Sequence, residues 1–247
     1  MPATLFAYVG ACGALLMFVA DLVLYLPNDR SQWSTAVYFA RIDPGGGQLL
    51  HSPMSELGEQ RMMTGGVLGP VAALLYTIGF LCVPAAVRST DSTLCWYASL
   101  TASFGLSGMM ITGACYHALF TVTGLITRDE SRKSVNKSGE PRDSDASGNL
   151  KQILVPLMNS HRRYLLFTYK VAAGFGAVGC GALVVCCVSS AGRLPLWLAA
   201  LAPACSAPLK KLLKKVGMGP PLGLVLAGGL TNLWNLVFFG SFALAVS

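Results

Sequence analysis

The chain has 247 residues, 53% of them hydrophobic and only 12% charged, with a mean hydropathy of +0.57 and a net charge of +7. These values exclude an ordinary soluble domain and an intrinsically disordered chain, and they make a membrane protein the expected class. The basic balance does not indicate nucleic acid as a partner, because the charges flank apolar runs and no recognition module accompanies them.

A helix needs ~20 apolar residues to cross about 30 Å of hydrocarbon. Six runs meet or approach that length: Thr4 to Leu26, Thr64 to Val87, Leu94 to Ile126, Tyr164 to Ser190, Leu194 to Leu209 and Gly219 to Val246. The predicted fold is an all-α integral membrane bundle of about six transmembrane helices forming one domain over residues 1–247. The first run follows Met1-Pro2-Ala3, which carries no positive charge, so it is expected to be a retained helix rather than a cleaved signal.

The loop 27–63 is expected to carry helices at the membrane interface, one over Trp33 to Ile42 and a second after Ser52-Pro53, separated by Pro44-Gly45-Gly46-Gly47. At 1.5 Å per residue the third run would reach roughly 50 Å, so it is tilted, protrudes, or is interrupted near Gly105 and Gly108. Residues 127–151 mix Ser, Asp, Lys and Gly with few apolar side chains and are expected to be disordered. The fifth run is short and contains Pro195, Pro203 and Pro208, which remove backbone donors, so a broken or re-entrant segment is expected there. The Gly219-Pro220-Pro221 start of the sixth run is a candidate hinge.

Positive charge is strongly one-sided. The loops after the first, third and fifth runs hold fifteen of the eighteen Lys and Arg residues, among them Arg61, Arg128, Arg162, Arg163 and the Lys210, Lys211, Lys214, Lys215 cluster. The positive-inside rule makes that side cytosolic and puts both termini on the other. The lysine cluster would then lie against anionic headgroups as an anchor.

Three titratable residues lie inside the apolar runs, where charge is costly: Asp21, His117 and Lys170. Counted at 1.5 Å per residue, they sit ~8, ~14 and ~10 Å from the cytosolic boundary. Asn232 and Asn235 lie deeper, and their i, i+3 spacing puts them on one helix face with Gly228, Thr231 and Phe239. A second face on the third run joins Gly113, His117, Thr121 and Gly124, with Tyr116 and Phe120 beside it. Facing stripes of small and polar residues let helices approach closely, here around a polar pocket open to the cytosol. Simpler readings exist for each residue. Lys170 can snorkel to the headgroups, Asp21 can form a structural pair with Lys170, and the asparagines can serve as interhelical glue. Arg61 suits either an anchor or the binding of an anionic group.

Other patterns carry less. Gly174 to Gly179 spells GxGxxG, but it lies within an apolar helix with no preceding strand, so small-residue packing explains it and no dinucleotide cofactor is expected. The eight cysteines lie in or at the runs without a CxxC pair, which argues against metal and disulfides.

Several segments together are similar to a known family. They are Asp21 at the end of the first run, Arg61 ahead of Gly65-Gly66-Val67-Leu68-Gly69-Pro70 with Tyr76 and Gly79, Tyr116-His117-Ala118-Leu119-Phe120, and Gly228-Gly229 before Asn232. The chain in this respect resembles a family of uncharacterised multi-pass membrane proteins found in microbes, over all but the loop 127–151. The resemblance implies the six-helix architecture and draws attention to Asp21, Arg61 and His117. It implies no activity.

The expected function is the binding or transport of a small or lipid-like solute, with membrane lipids as the other partners. Asp21 and His117 would handle protons, Asn232 and Asn235 would orient the ligand, Arg61 would meet an anionic group, and Tyr76 is a further candidate for binding substrate or handling protons. An intramembrane lipid-modifying enzyme using Asp21 and His117 as acid and base is the alternative. A structural subunit or scaffold is the third. The orientation has a direct check: expressed in a glycosylating host, the Asn136-Lys137-Ser138 sequon should stay unmodified, and sugar on Asn136 would overturn the assigned sidedness.

Overall fold

In the computed structural model, residues 2–25, 58–133, 144–206, 209 and 222–247 are described. The interfacial helices expected in the loop 27–63, the Asn136 sequon, the lysine cluster 210–215 and the Gly219-Pro220-Pro221 hinge lie outside the described residues. The fold is an all-helical membrane bundle, and no strand occurs among the described residues. In chain order the elements are α1 (Ala3–Tyr25), α2 (Glu59–Phe80), α3 (Cys82–Val87), α4 (Thr93–Lys133), α5 (Ser144–Ser189), α6 (Trp197–Ala200), a 3-10 turn (Pro203–Cys205) and α7 (Leu222–Val246). Five segments among the described residues are long and apolar enough to cross a membrane: Ala3–Leu24, Glu59–Val87, Thr93–Leu119, Leu166–Ser189 and Gly229–Val246. Large apolar side chains such as Leu74, Phe104, Val188 and Leu244 point outward, as a lipid-facing surface requires.

Neighbours in sequence are neighbours in space and run antiparallel. Leu24 lies over Gly65 near one end of the α1–α2 pair, and Gly10 meets Gly79 near the other. Thr121 lies over Gly66, while Ser103 donates to the Phe80 carbonyl at 2.6 Å, so α4 reverses α2. Gly105 against Gly179 and Cys95 against Cys186 reverse α5 in turn. Phe239 at Gly10 and Phe18 at Gly229 make α7 antiparallel to α1. The start of α1 and the end of α7 therefore lie at one end of the bundle, and the end of α1 and the start of α2 lie at the other.

This topology decides the fate of the fifth run. The helix α5 finishes at the end that holds the termini, and the described chain after Ser189 turns back along α5 and α7. It does so without a continuous helix: α6 covers one turn, and the 3-10 turn begins on Pro203. By Ser206 it has reached Thr231, with the two hydroxyl oxygens 3.3 Å apart. Pro195 and Pro203 lack the N–H groups that a continuous helix would need, and the packing of the segment against α5 and α7 shelters the interruption. Among the described residues the bundle thus has five long members and, between α5 and α7, a broken fifth member in sequence order that reaches Thr231.

Of the readings offered for the third run, tilt, protrusion or a break, the break is not found: the helix α4 is uninterrupted over 41 residues, about 60 Å at 1.5 Å per residue. Gly105 and Gly108 do not break it; they admit α5, since a Cβ on Gly105 would sit 2.5 Å from the Gly179 nitrogen and one on Gly108 2.7 Å from the Phe175 ring. Of the segment 127–151, the described residues to Lys133 continue α4 and those from Ser144 belong to α5, while residues 134–143 lie outside the described ones.

The α4–α5 contact yields a prediction. Gly105→Leu forces two backbones apart and should destabilise the detergent-solubilised protein by about 3 kcal/mol or more, as strong overpacking does. Gly113→Leu should change thermal unfolding little, because a side chain there meets open space.

Candidate functional site

Aromatic rings fill the bundle centre towards the end that holds the termini. Tyr76 stacks on Phe80 at a centroid distance of 6.2 Å, Phe80 lies 4.9 Å from Phe239, and Phe238 continues the cluster to Phe242 at 6.0 Å. Tyr76 is where this apolar half ends. Its hydroxyl opens a chain of polar side chains that reaches four helices.

Asp21 on α1 is the focus of that chain. Its Oδ1 lies 2.8 Å from His117 Nε2 on α4, and its Oδ2 accepts from Asn232 Nδ2 on α7 at 2.6 Å. The Tyr76 hydroxyl on α2 donates to Asn232 Oδ1 at 2.9 Å and accepts from Asn235 Nδ2 at 3.0 Å. Asn235 Nδ2 also lies 3.6 Å from Met110 Sδ. Asp21, Tyr76, His117, Asn232 and Asn235 are all buried, with Asp21 only 4% exposed. The contact between Asp21 and His117 needs close backbone approach. A carboxylate stem is short, and the imidazole must enter between α1 and α2.

The glycines of α2 provide that approach. Gly69 faces His117, where an added Cβ would fall 2.9 Å from the histidine Cβ and 3.2 Å from its Cγ. One turn earlier Gly65 and Gly66 receive Leu24 and Thr121, the near neighbours of Asp21 and His117 in their own helices. Arg61, a further turn back, donates from Nε to the Val23 carbonyl at 2.7 Å and so holds the last turn of α1. The Arg61 to Gly69 stretch is therefore a seat for the residues that flank the carboxylate and the imidazole.

Most of the residues singled out from the sequence meet here. Asp21, Tyr76, His117, Asn232 and Asn235 form one connected network, and Arg61 braces it through the α1 backbone. Lys170 does not join them. It lies on the exposed face of α5, so the partner of Asp21 is His117, and the suggested pairing with Lys170 is not formed. Gly113 also leaves the expected stripe, since a Cβ added there would meet nothing within 4 Å; the inward face of α4 runs through Met110, Ala114, His117 and Thr121 instead. The side chains of Tyr116 and Phe120 lie outside the described ones. Met110 and Ser103 were missed by sequence reasoning. Met110 reads as ordinary apolar filling, and only the i, i+7 spacing to His117 could have drawn attention to it.

A family model described as a family of unknown function (DUF6796) matches residues 3–247. The chain belongs to that family. The match spans both ends of the bundle, so every member of the polar network falls within it. No curated protein and no solved structure matches the chain. No group of three or more His, Cys, Asp or Glu side chains that could hold a metal ion occurs among the described residues.

The Asp21–His117 contact can be weighed by a double-mutant cycle. Asp21→Ala strips two donors of their acceptor and should cost about 3–5 kcal/mol of stability, the usual consequence of breaking a buried pair. Combined with His117→Ala, unfolding in lipid nanodiscs should show a coupling of about 1–3 kcal/mol, above the ~0.6 kcal/mol typical of interhelical hydrogen bonds in membranes. A coupling near zero would show that the pair contributes nothing specific.

Proposed function

We propose that this protein binds, and carries across the membrane, a small or lipid-like solute, with Asp21 and His117 as its proton-handling pair. The observation that carries the reading is the 2.8 Å contact between a carboxylate and an imidazole in the centre of a membrane bundle, with a further donor on the second carboxylate oxygen. Ionisable groups at such depth are expensive, and a purely structural hydrogen bond could be made by uncharged amides at lower cost. Two titratable groups in contact can instead exchange a proton, and His is the side chain whose charge changes near neutral pH.

The architecture supports movement as well as binding. The network joins α1, α2, α4 and α7, so a change in its protonation alters contacts in four helices at once. The broken fifth member lies beside α7, where Ser206 meets Thr231 one residue from Asn232. Discontinuous helices next to a polar centre are a recurrent device of carriers, since a short break accommodates rotation that a continuous helix resists. Under this reading Asn232 and Asn235 orient the ligand and Arg61 steadies the end of α1. The basic end of the bundle would face the cytosol, as the charge distribution requires.

The test is flux. Vesicles loaded with a pH-reporting dye are challenged in turn with amino acids, carboxylates, sugars, alkali cations and short-chain lipids. At least one class should elicit a change in internal pH. Asp21→Asn and His117→Ala should each reduce it by about tenfold or more. Undiminished flux in both variants would remove those residues from the mechanism.

A further inference from the structure

The charge on Asp21 dictates the direction of each hydrogen bond in the chain that leads away from it. An ionised carboxylate only accepts. Asn232 must therefore turn its Nδ2 towards Asp21, which leaves its Oδ1 facing Tyr76. The Tyr76 hydrogen then points to Asn232, and its oxygen is free only to accept, so Asn235 must present Nδ2. One consequence is that Asn235 Oδ1, in a side chain with 0% exposure, has no partner among the described residues. A buried carbonyl without a protein partner is costly, which makes Asn235 Oδ1 the end of the chain at which a change of hydrogen-bond direction would be felt.

We infer that protonation of Asp21 reverses this chain from end to end and so changes the group that Asn235 presents at its far end from an acceptor to a donor. The inference rests on the proton-handling role proposed for the Asp21–His117 pair. The proton adds to Asp21 Oδ2, which becomes a donor to Asn232 Oδ1. The Asn232 amide turns over about its Cβ–Cγ bond, and its Nδ2 donates to the Tyr76 oxygen. The phenolic hydrogen rotates to Asn235, whose amide turns over in the same way to accept it on Oδ1. No other proton moves, and the phenol stays neutral throughout. The carbonyl that lacks a partner in one state is satisfied in the other, and the amide N–H takes its former place.

Few other groups compete for control of Asp21. His117 faces it from α4, and Tyr76 and Arg61 from α2, the latter through the Val23 carbonyl. The helix α7 contains no titratable residue. Asn232, Tyr76 and Asn235 are thus positioning residues that transmit the state of the carboxyl to a point two hydrogen-bonded groups beyond Asn232. An acceptor exchanged for a donor is the change a site needs if a proton is to alter what it holds.

Infrared difference spectroscopy on the full chain in phosphatidylcholine nanodiscs, with asparagine side chains carrying carbon-13, tests this without any solute. Acidification from about pH 8 to about pH 2 brackets the ordinary His and Asp ranges. The expected result is a protonated-carboxyl band that is lost in Asp21→Asn, with asparagine carbonyl bands that shift over the same pH interval. Tyr76→Phe should retain the carboxyl band and lose the Asn235 share of the asparagine shift, which is identified as the part missing in Asn235→Ala. The labelled wild-type protein alone is decisive if a variant does not fold: asparagine bands that stay fixed while the carboxyl titrates, or the absence of a carboxyl band, overturn the inference. Flux that persists with fixed asparagine bands removes the switch alone, whereas a working switch in a protein without solute-dependent flux removes the carrier reading alone.

Discussion

A carboxylate buried among apolar helices is the constraint around which the rest of this molecule is organised. Transfer of an unpaired charge into such surroundings is prohibitive, so each oxygen of Asp21 must meet a donor at short range. His117 and Asn232 meet that requirement from two different helices, and Tyr76 and Asn235 then align behind Asn232. Four of the bundle members are tied to one side chain. The arrangement of the polar centre follows from the chemistry of one acceptor.

Such a centre needs backbones closer than ordinary side chains allow. The α2 glycines meet this need in register: Gly65, Gly66 and Gly69 receive Leu24, Thr121 and His117 within little more than one turn. Arg61 completes the seat by capturing a carbonyl of α1. The same logic joins α4 to α5 through Gly105 and Gly179, where no polar chemistry is involved. In lipid, where burial of apolar surface gives little drive to associate, close packing of this kind supplies much of the cohesion.

The fifth member shows a different balance. Three prolines between Leu194 and Leu209 cannot be reconciled with a continuous helix, and the described chain after Ser189 turns back along α5 and α7 without one. The outcome is a broken passage held between α5 and α7, next to the polar centre. An interruption of this sort is tolerated because protein, rather than lipid, surrounds it.

From the sequence by itself came the class, the long bundle members, the weak point in the fifth and five of the residues that meet at the centre. Most were legible because each is a local departure from a simple pattern, a charge in an apolar run, a proline in a helix or an amide pair at i, i+3, whereas Tyr76 came only with the family resemblance. The partner of each polar group was not legible. Lys170 was the pairing suggested for Asp21 until the structure turned it outward and His117 inward, and helices that are apolar on all sides carry no periodic signal from which rotation can be read. Gly105 and Gly113 are alike in the sequence, and only the path of α5 makes one a contact and the other open surface. Tertiary structure decided which faces meet, because in a membrane that choice depends on packing between surfaces, and no single segment contains both.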